Sequence, residues 1–235
     1  MKRSITALAC LLLALGLCAQ PAIRLKKKDR RRDIELVTTE GAIVLRLSDS
    51  TPLHRDNFLR IVKSGYYDST LFHRVIQGFM IQGGDGDSRH AAPGQPLGRG
   101  ELPYTVPAEF RTSLYHRKGA LAAAREGDNI NPEKRSSSTQ FYIVQGRAFN
   151  DASLDSIEQR RLQGRTIPPD HREIYHTTGG TPQLDGNYTV FGRVVRGLDV
   201  VDRIAATPTS HGADRDRPLQ DVRIVKARLI KRKKA

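Results

Sequence analysis

The chain has 235 residues, a formal net charge of +14 and no tryptophan. Its 38% hydrophobic and 27% charged residues are typical of one globular domain with appended segments. This composition excludes a protein that crosses a membrane many times.

The first 19 residues have the pattern of a secretory signal peptide. Lys2 and Arg3 precede an apolar run over residues 5–17, which is too short to indicate a transmembrane helix. We expect cleavage after Ala19, with export of the mature protein to the periplasm or cell envelope.

Both cysteines, Cys10 and Cys18, lie inside this signal segment. Cleavage after Ala19 would leave no thiol, which excludes a disulfide framework and a catalytic cysteine in the mature protein. Residues 15–18 also resemble a lipoprotein cleavage box, so a lipoprotein anchored through Cys18 is the alternative to plain secretion. We favour secretion, because Leu17 stands where such a box normally has a small residue.

Two basic segments flank the predicted domain: a linker over residues 20–32 and a tail over residues 231–235. Such runs bind nucleic acid or anionic lipid in some proteins, but more often they are solvated tails. We therefore expect no nucleic-acid partner, and a membrane partner only if Cys18 is lipidated. Anchoring through the basic ends remains one hypothesis for function.

The domain is predicted to span residues 33–230 and to be mainly β. Short apolar runs recur along it, each bounded by glycine or by polar residues, and this pattern indicates the strands of a barrel or a sandwich. The predicted strands cover residues 34–38, 42–47, 71–76, 79–82, 120–123, 141–144, 190–195 and 222–230.

Two helices are predicted between these strands. The first has Thr51 as its N-cap and Pro52 at its first position, and Gly65 ends it. The second covers residues 198–206, where apolar side chains share one face and Pro208 ends the pattern. About eight strands and two helices fit a closed β-barrel that is capped at its ends.

Residues 150–182 do not fit this pattern. They are polar, contain Pro168 and Pro169, and end in two glycines. We interpret them as a long insertion between two barrel strands, with a short helix over residues 154–162.

Residues 72–85, with the sequence FHRVIQGFMIQGGD, carry the strongest indication of function. Arg74 lies a few residues before the large apolar side chains of Phe79 and Met80, and Gln82 follows them. An arginine beside an apolar wall is what a site needs to hold a proline ring and to hydrogen-bond the peptide bond before it. This stretch therefore indicates a site for proline-containing peptides.

Four segments in order resemble the cyclophilin family of peptidyl-prolyl cis-trans isomerases. They are residues 72–85, 119–125, 138–143 and 184–192. The resemblance covers residues 33–230 and implies a closed eight-stranded antiparallel barrel, two capping helices and a proline-binding groove on the outer face. It also implies a monomer that isomerises X-Pro bonds in proline-containing peptides and unfolded exported proteins, with no metal and no cofactor.

The same resemblance implies roles for individual residues. Arg74 matches the catalytic arginine, and Gln82 matches the glutamine that orients this arginine and the substrate. The pocket for the proline ring is matched by Phe79, Met80, Tyr142 and Leu184, and is closed by Tyr188. The groove for the residues before proline is matched by Ala124, Arg125 and Gln140.

Three positions depart from the family pattern. Tyr142 stands where the family usually has phenylalanine, Gln183 where it has a tryptophan at the pocket rim, and Tyr188 where it commonly has a histidine. Because of the changes at Gln183 and Tyr188, an alternative hypothesis is a proline-peptide-binding chaperone module with weak or no turnover.

The seven histidines show no metal-binding spacing tied to a carboxylate or a cysteine. His73 is adjacent to Arg74, but alternation along a strand directs the two side chains to opposite faces. We therefore expect His73 to be a hydrogen-bonded structural residue and not an acid or a base.

Overall fold

The computed structural model describes residues 23–233. The predicted signal peptide, with Cys10 and Cys18, lies outside these residues. Among the helices that the structure describes, none combines the length and the apolar character needed to cross a bilayer.

Ten strands are present in the described part of the chain. Eight of them form one antiparallel sheet, and two short ones pair only with each other. The eight are β1 (Arg32–Thr38), β2 (Gly41–Leu47), β3 (Phe72–Ile76), β4 (Met80–Gly83), β6 (Ala120–Ala123), β8 (Phe141–Val144), β9 (Val190–Arg196) and β10 (Ile224–Lys231), and the short pair is β5 (Thr105–Val106) and β7 (Ser136–Ser137). The eight predicted strands are thus confirmed, with ends that differ by one or two residues.

The sheet is strongly curled, with the strand order β10-β1-β2-β9-β6-β8-β4-β3. Its edge strands β10 and β3 meet through one isolated bridge, between Leu71 and Arg223, and a few backbone hydrogen bonds around it. Further along β3, the Val75 N–H donates to the Asp216 carbonyl at 2.8 Å, so a loop covers this edge of the sheet. The prediction of a fully closed barrel is therefore overstated.

Four α-helices are present in the described residues, where the sequence predicted two capping helices and a short helix over residues 154–162. They are α1 (Pro52–Lys63), α2 (Asp151–Arg160), α3 (Pro169–Thr177) and α4 (Leu198–Ala205). The predicted capping helices correspond to α1 and α4. The predicted short helix corresponds to α2, which begins and ends two to three residues earlier, and α3 is a second helix of the insertion. The sequence pattern did not indicate α3, because two adjacent prolines are typical of a loop. Pro169 instead takes the first helical position, where a missing N–H costs nothing.

The first turn of α1 is capped from elsewhere in the chain. Thr51 is the N-cap residue, as predicted, but its side chain makes no cap hydrogen bond and its buried hydroxyl has no partner in the described residues. The Glu109 carboxylate accepts instead from the Leu53 N–H at 3.2 Å and from the His54 N–H at 2.9 Å. A carboxylate suits this place because it satisfies free N–H groups and faces the positive end of the helix dipole.

Strand alternation divides the apolar residues between two clusters on opposite faces of the sheet. The inner face packs against α1 and α4 and forms the main core, which includes Leu121, Ile81 and Ile143. The outer face carries a smaller cluster, which includes Met80 and Tyr142. A two-residue period thus places a second apolar surface on the outside of the sheet, where the functional residues were predicted.

The insertion packs on the domain through its own small core. Leu154, Leu162, Ile167 and Tyr175 are buried together. Gly180 then joins the insertion to the sheet, since it forms isolated bridges to the residues that precede β6 and follow β8. A Cβ atom at Gly180 would lie 2.2 Å from the carbonyl oxygen of His116, so only glycine fits there.

The last part of the basic linker is folded. Residues Asp29–Arg31 form a short 3₁₀ turn against α1. The Arg30 guanidinium donates three hydrogen bonds to Asp56, at 2.6 to 3.1 Å, and the Lys63 ammonium contacts the buried Asp29 at 2.7 Å. This part of the linker therefore packs on the domain, whereas the sequence suggested a solvated segment.

Candidate active site

Strand register brings together residues that are far apart in sequence. Arg74 on β3 pairs with Gln82 on β4, Gln82 pairs with Tyr142 on β8, and Tyr142 pairs with Ala122 on β6. Paired residues in an antiparallel sheet point to the same face, so this row of side chains lies on the outer surface. One end of this row is the charged side chain of Arg74, and the other end is formed by Tyr142 and Ala122.

A cavity of about 910 Å³ lies over this row. All ten site residues predicted from the sequence line it, and they are Arg74, Phe79, Met80, Gln82, Ala124, Arg125, Gln140, Tyr142, Leu184 and Tyr188. The cavity also extends over residues that the sequence did not indicate, among them Glu101, Glu126, Ile130 and Arg135. Its size and its mixture of apolar and polar lining are those of a ligand site.

Arg74 is the cation at the edge of this cavity. Its side chain is 42% exposed, and its Nε atom lies 3.4 Å from a carboxylate oxygen of Asp216. At this distance and exposure the ion pair is weak, so Asp216 neutralises only part of the charge. The guanidinium has further donors available for a ligand.

The two glutamines of the site are connected to each other. The Gln82 amide nitrogen donates to the Gln140 side-chain oxygen at 3.2 Å, and the Gln140 amide nitrogen donates to the Gly98 carbonyl at 2.8 Å. In the described residues, Gln82 makes no hydrogen bond to Arg74, although the two are paired across the strands. Its orienting role therefore remains a prediction.

The apolar wall consists of Phe79, Met80, Tyr142 and Leu184, which pack in the outer cluster. Met80 and Tyr142 are buried and form the floor, whereas Phe79 and Leu184 are partly exposed at the sides. Tyr188 contacts Tyr142 edge to face, with ring centroids 6.0 Å apart. A proline ring placed here would be covered by apolar surface on several sides.

Arg125 holds Tyr188 in this position. Its guanidinium lies over the Tyr188 ring, 4.5 Å from the centroid, and its Nε atom donates to the Asn187 carbonyl at 2.7 Å. A further contact of 2.7 Å to Asp128 uses another guanidinium nitrogen. The side chain of Arg125 is thus occupied, which leaves its backbone to meet a ligand.

A buried polar chain behind the floor was not predicted. The Tyr142 hydroxyl lies 2.9 Å from Nε2 of His116, and Nδ1 of His116 lies 2.8 Å from Asp185. The Tyr175 hydroxyl on α3 donates to the other Asp185 oxygen at 2.6 Å. Burial holds the pKa of Tyr142 well above its usual value, so the phenol is neutral.

This chain links the pocket floor to the insertion. The sequence contained one signal for it, since a tyrosine where a phenylalanine is usual needs a partner for its buried hydroxyl. The identity of that partner could not be deduced, because His116 and Asp185 lie far from Tyr142 in sequence.

His73 is buried on the opposite face from Arg74, as strand alternation predicts. However, neither of its ring nitrogens has a hydrogen-bond partner in the described residues, so the prediction of a hydrogen-bonded histidine is wrong. Burial lowers the pKa of His73 from 6.5 to about 4, and the ring is therefore neutral at pH 7. Within residues 23–233, no cluster of His, Cys, Asp and Glu side chains could hold a metal ion.

The curled antiparallel sheet, with an arginine beside an apolar hollow on its outer face, defines a peptide-binding β protein. Residues 33–229 match the family model described as cyclophilin type peptidyl-prolyl cis-trans isomerase/CLD. The chain therefore belongs to the cyclophilin-type peptidyl-prolyl cis-trans isomerase family.

Several relatives carry names of this family. A peptidyl-prolyl cis-trans isomerase-like 1 of Neurospora crassa is 32% identical over 206 residues, which are 85% of this chain and 94% of the relative. A protein of Staphylococcus saprophyticus, named as a peptidyl-prolyl cis-trans isomerase, is 34% identical over 203 residues, 84% of this chain and 92% of the relative. A Streptococcus pyogenes protein named as a bifunctional phosphatase/peptidyl-prolyl cis-trans isomerase is 37% identical over 194 residues, and the chain spans only 37% of its length.

The fold is also that of a solved cyclophilin. A cyclophilin type peptidyl-prolyl cis-trans isomerase of Cryptosporidium parvum superposes with a TM-score of 0.60 and 22% identity, and the match covers 86% of this chain and 99% of that one. The same protein was also solved in the presence of the dipeptide Ala-Pro, with a TM-score of 0.59.

Proposed function

We propose that this chain accelerates X-Pro isomerisation by using the charge of Arg74 to stabilise the half-rotated prolyl amide above the apolar wall. The observation that carries this proposal is the placement of a largely unneutralised guanidinium at the edge of an apolar cavity. Crystallisation of the Cryptosporidium cyclophilin in the presence of Ala-Pro supports a proline-containing ligand.

The reaction is a rotation about one X-Pro C–N bond, in which no covalent bond is made or broken. The barrier to rotation is roughly 18–20 kcal/mol, and its source is the loss of amide resonance as the C–N bond twists. The proline nitrogen regains a lone pair in the twisted state, so a cation that donates to this lone pair stabilises the twisted state more than either planar isomer. Arginine is suited to this role because it keeps its charge and offers several donors.

The apolar wall supplies the second requirement, which is a fixed proline ring. Phe79, Met80, Tyr142 and Leu184 can hold the ring while the residues before it rotate. The same wall lowers the local dielectric constant, so that the charge of Arg74 is screened less than in water. In this mechanism, Gln82 and Gln140 bind the peptide segment before the proline.

The proposed clients are unfolded exported proteins in the periplasm or cell envelope. This part of the proposal rests on the signal-like pattern of residues 1–19. Cell fractionation would test the location, and the intact mass of the mature protein would distinguish cleavage after Ala19 from lipid attachment at Cys18. A full-length mass recovered from the cytoplasm would contradict export.

The mechanism is tested by replacing Arg74 with alanine and with lysine. Loss of one preorganised electrostatic donor in an enzyme typically costs about 100-fold or more in rate. We expect a decrease of about 100-fold in kcat/KM on an Ala-Pro peptide for Arg74→Ala, and a smaller decrease for Arg74→Lys, which keeps the charge. Exchange spectroscopy by NMR measures these rates without a coupling protease.

Arg193→Ala is the matched control, since Arg193 is an exposed arginine on β9 that does not line this cavity. Equal rates for wild type and Arg74→Ala would remove Arg74 from the mechanism. A wild type that binds the peptide without accelerating its exchange would instead support the chaperone hypothesis.

A further inference from the structure

A second cavity, of about 420 Å³, adjoins the proposed proline pocket and shares Leu184 with it. Gly78 and Arg147 line it from the side of the sheet. Ile157 on α2 and Arg161 just after α2 line it from the insertion. The insertion therefore does not fill the proline pocket but builds one wall of a neighbouring site.

Two guanidinium groups in this cavity lack a carboxylate partner in the described part of the chain. Arg147 stacks over the Phe149 ring at 4.8 Å from its centroid, and Arg161 is exposed where α2 ends. Arg172, on α3 of the same insertion, offers a contrast, because it contacts Asp151, Asp155 and Glu158 at 2.8 to 2.9 Å. The cavity thus has a net positive charge that none of its lining residues neutralises.

The same cavity contains an unpaired hydrogen-bond acceptor. The side-chain oxygen of Gln183 is buried and has no partner among the described residues. A buried acceptor without a partner is costly, but this oxygen has almost no accessible surface, so a ligand could reach it only after the side chain rotates. The ligand chemistry of this cavity is therefore set by the two arginines, and two cationic donors beside apolar side chains suit a peptide with an acidic side chain.

The position of the cavity determines which part of a peptide it would meet. In the proposed function, on which this inference rests, the residues before the proline lie along Arg125 and Gln140, and the ring lies against Leu184. The second cavity shares Leu184 with the pocket for the ring, but neither Arg125 nor Gln140 lines it. An extended chain advances about 3.3–3.6 Å per residue, so the first residues after the proline would enter it.

We propose that Arg147 and Arg161 form a subsite for an acidic side chain one or two positions after the proline. The protein would accordingly prefer X-Pro bonds that are followed by Asp or Glu. The insertion acts here as a specificity element, because it supplies Arg161 and the apolar wall beside it.

The test uses three capped peptides, acetyl-Ala-Ala-Pro-Xaa-Xaa-amide, with Glu, Gln or Lys at both Xaa positions. We measure kcat/KM by NMR exchange and affinity by chemical-shift titration at low ionic strength. Exposed ion pairs contribute little each, so we expect the Glu peptide to exceed the Gln peptide by about threefold to tenfold in affinity and kcat/KM. The difference should fade at about 0.5 M salt, where the Debye length is only a few ångströms.

The double variant Arg147→Gln/Arg161→Gln should remove this preference while leaving the rate on the Gln peptide unchanged. Arg161→Glu alone should shift the preference towards the Lys peptide. Arg193→Gln/Arg196→Gln changes the net charge equally on an exposed part of β9 and should keep the preference, which controls for overall charge.

Equal affinities for the Glu and Gln peptides in the wild type, or a preference that survives in the Arg147/Arg161 double variant, would overturn the subsite. A failure of the proposed function looks different, since no peptide would then be isomerised. In that case the shift titration with the same three peptides still decides for or against the subsite.

Discussion

Replacement of His73 by phenylalanine is expected to make the protein less sensitive to acid. The His73 ring is almost fully buried, and neither nitrogen has a hydrogen-bond partner in the described residues. Burial lowers its pKa from 6.5 to about 4, so the folded state resists protonation that the unfolded state accepts. Phenylalanine keeps a ring at this position but does not titrate.

The sign and size of the effect follow from proton linkage. Above pH 6.5 the ring is neutral in both states and contributes nothing to the pH dependence. Between pH 6.5 and about 4 the unfolded chain binds one proton more than the folded protein, so the free energy of unfolding falls by about 1.4 kcal/mol per pH unit. Over the whole interval the loss approaches roughly 3 kcal/mol, and the His73→Phe variant should not show it.

Other groups titrate differently and can be separated from His73. Asp29 and Asp56 also have lowered pKa values. A hydrogen bond from Lys63 is the main cause for Asp29. For Asp56, burial raises the pKa, but the hydrogen bonds from Arg30 and Arg55 outweigh it. Their stabilisation is lost below pH 3.8, outside the interval of interest. Burial also lowers the pKa of His54. Because His54 is present in both wild type and His73→Phe, both proteins should still lose some stability as the pH falls.

Urea denaturation followed by circular dichroism at pH 7.0, 6.0, 5.0 and 4.5 measures this difference. Wild type should lose stability more steeply than His73→Phe as the pH falls, while His90→Gln, at an exposed histidine, should follow the wild type. The same slope in wild type and His73→Phe would refute the reasoning, as would an NMR titration that places the pKa of His73 above 6.

Two further substitutions test contacts that the sequence did not reveal. Tyr142→Phe removes the partner of His116 Nε2 and should lower stability by about 1–3 kcal/mol, while kcat/KM on an Ala-Pro peptide stays within about threefold because the ring of the pocket floor remains. Glu109→Gln places an amide NH₂ among the N–H donors of α1 and beside Nδ1 of His54, 2.7 Å from the present carboxylate, and should lower the melting temperature by about 5–10 °C. Thermal unfolding followed by circular dichroism measures both losses.

Each of these substitutions has a control. Tyr104→Phe removes the hydroxyl of an exposed tyrosine and should cost little stability. Glu173→Gln makes the same chemical change as Glu109→Gln at an exposed position on α3. An unchanged melting temperature for Glu109→Gln would show that Glu109 does not hold α1, and a large loss of turnover in Tyr142→Phe would show that its hydroxyl takes part in the reaction.

Local pattern predicted most of the fold, and the resemblance to the cyclophilin family predicted most residues of the candidate site. Short apolar runs indicated the eight strands of the sheet, because successive side chains of a strand point to opposite faces and the buried ones are apolar. Within one strand the same period directs Arg74 and His73 to opposite faces, and residues 72–85 by themselves indicated a site for proline-containing peptides. Sequence could place these side chains because each depends mainly on its own strand.

Only the tertiary structure decided the contacts between residues that are distant in sequence. The Glu109 carboxylate, and not the Thr51 hydroxyl, accepts from the free N–H groups of α1, because these groups donate to any acceptor that the fold brings near. His116 and Asp185 support Tyr142 from two separate loops, and the insertion brings Arg161 to the rim beside Leu184. No local pattern predicts such contacts, since most of the residues that make them lie on loops and helix ends that only the folding of the whole domain brings together.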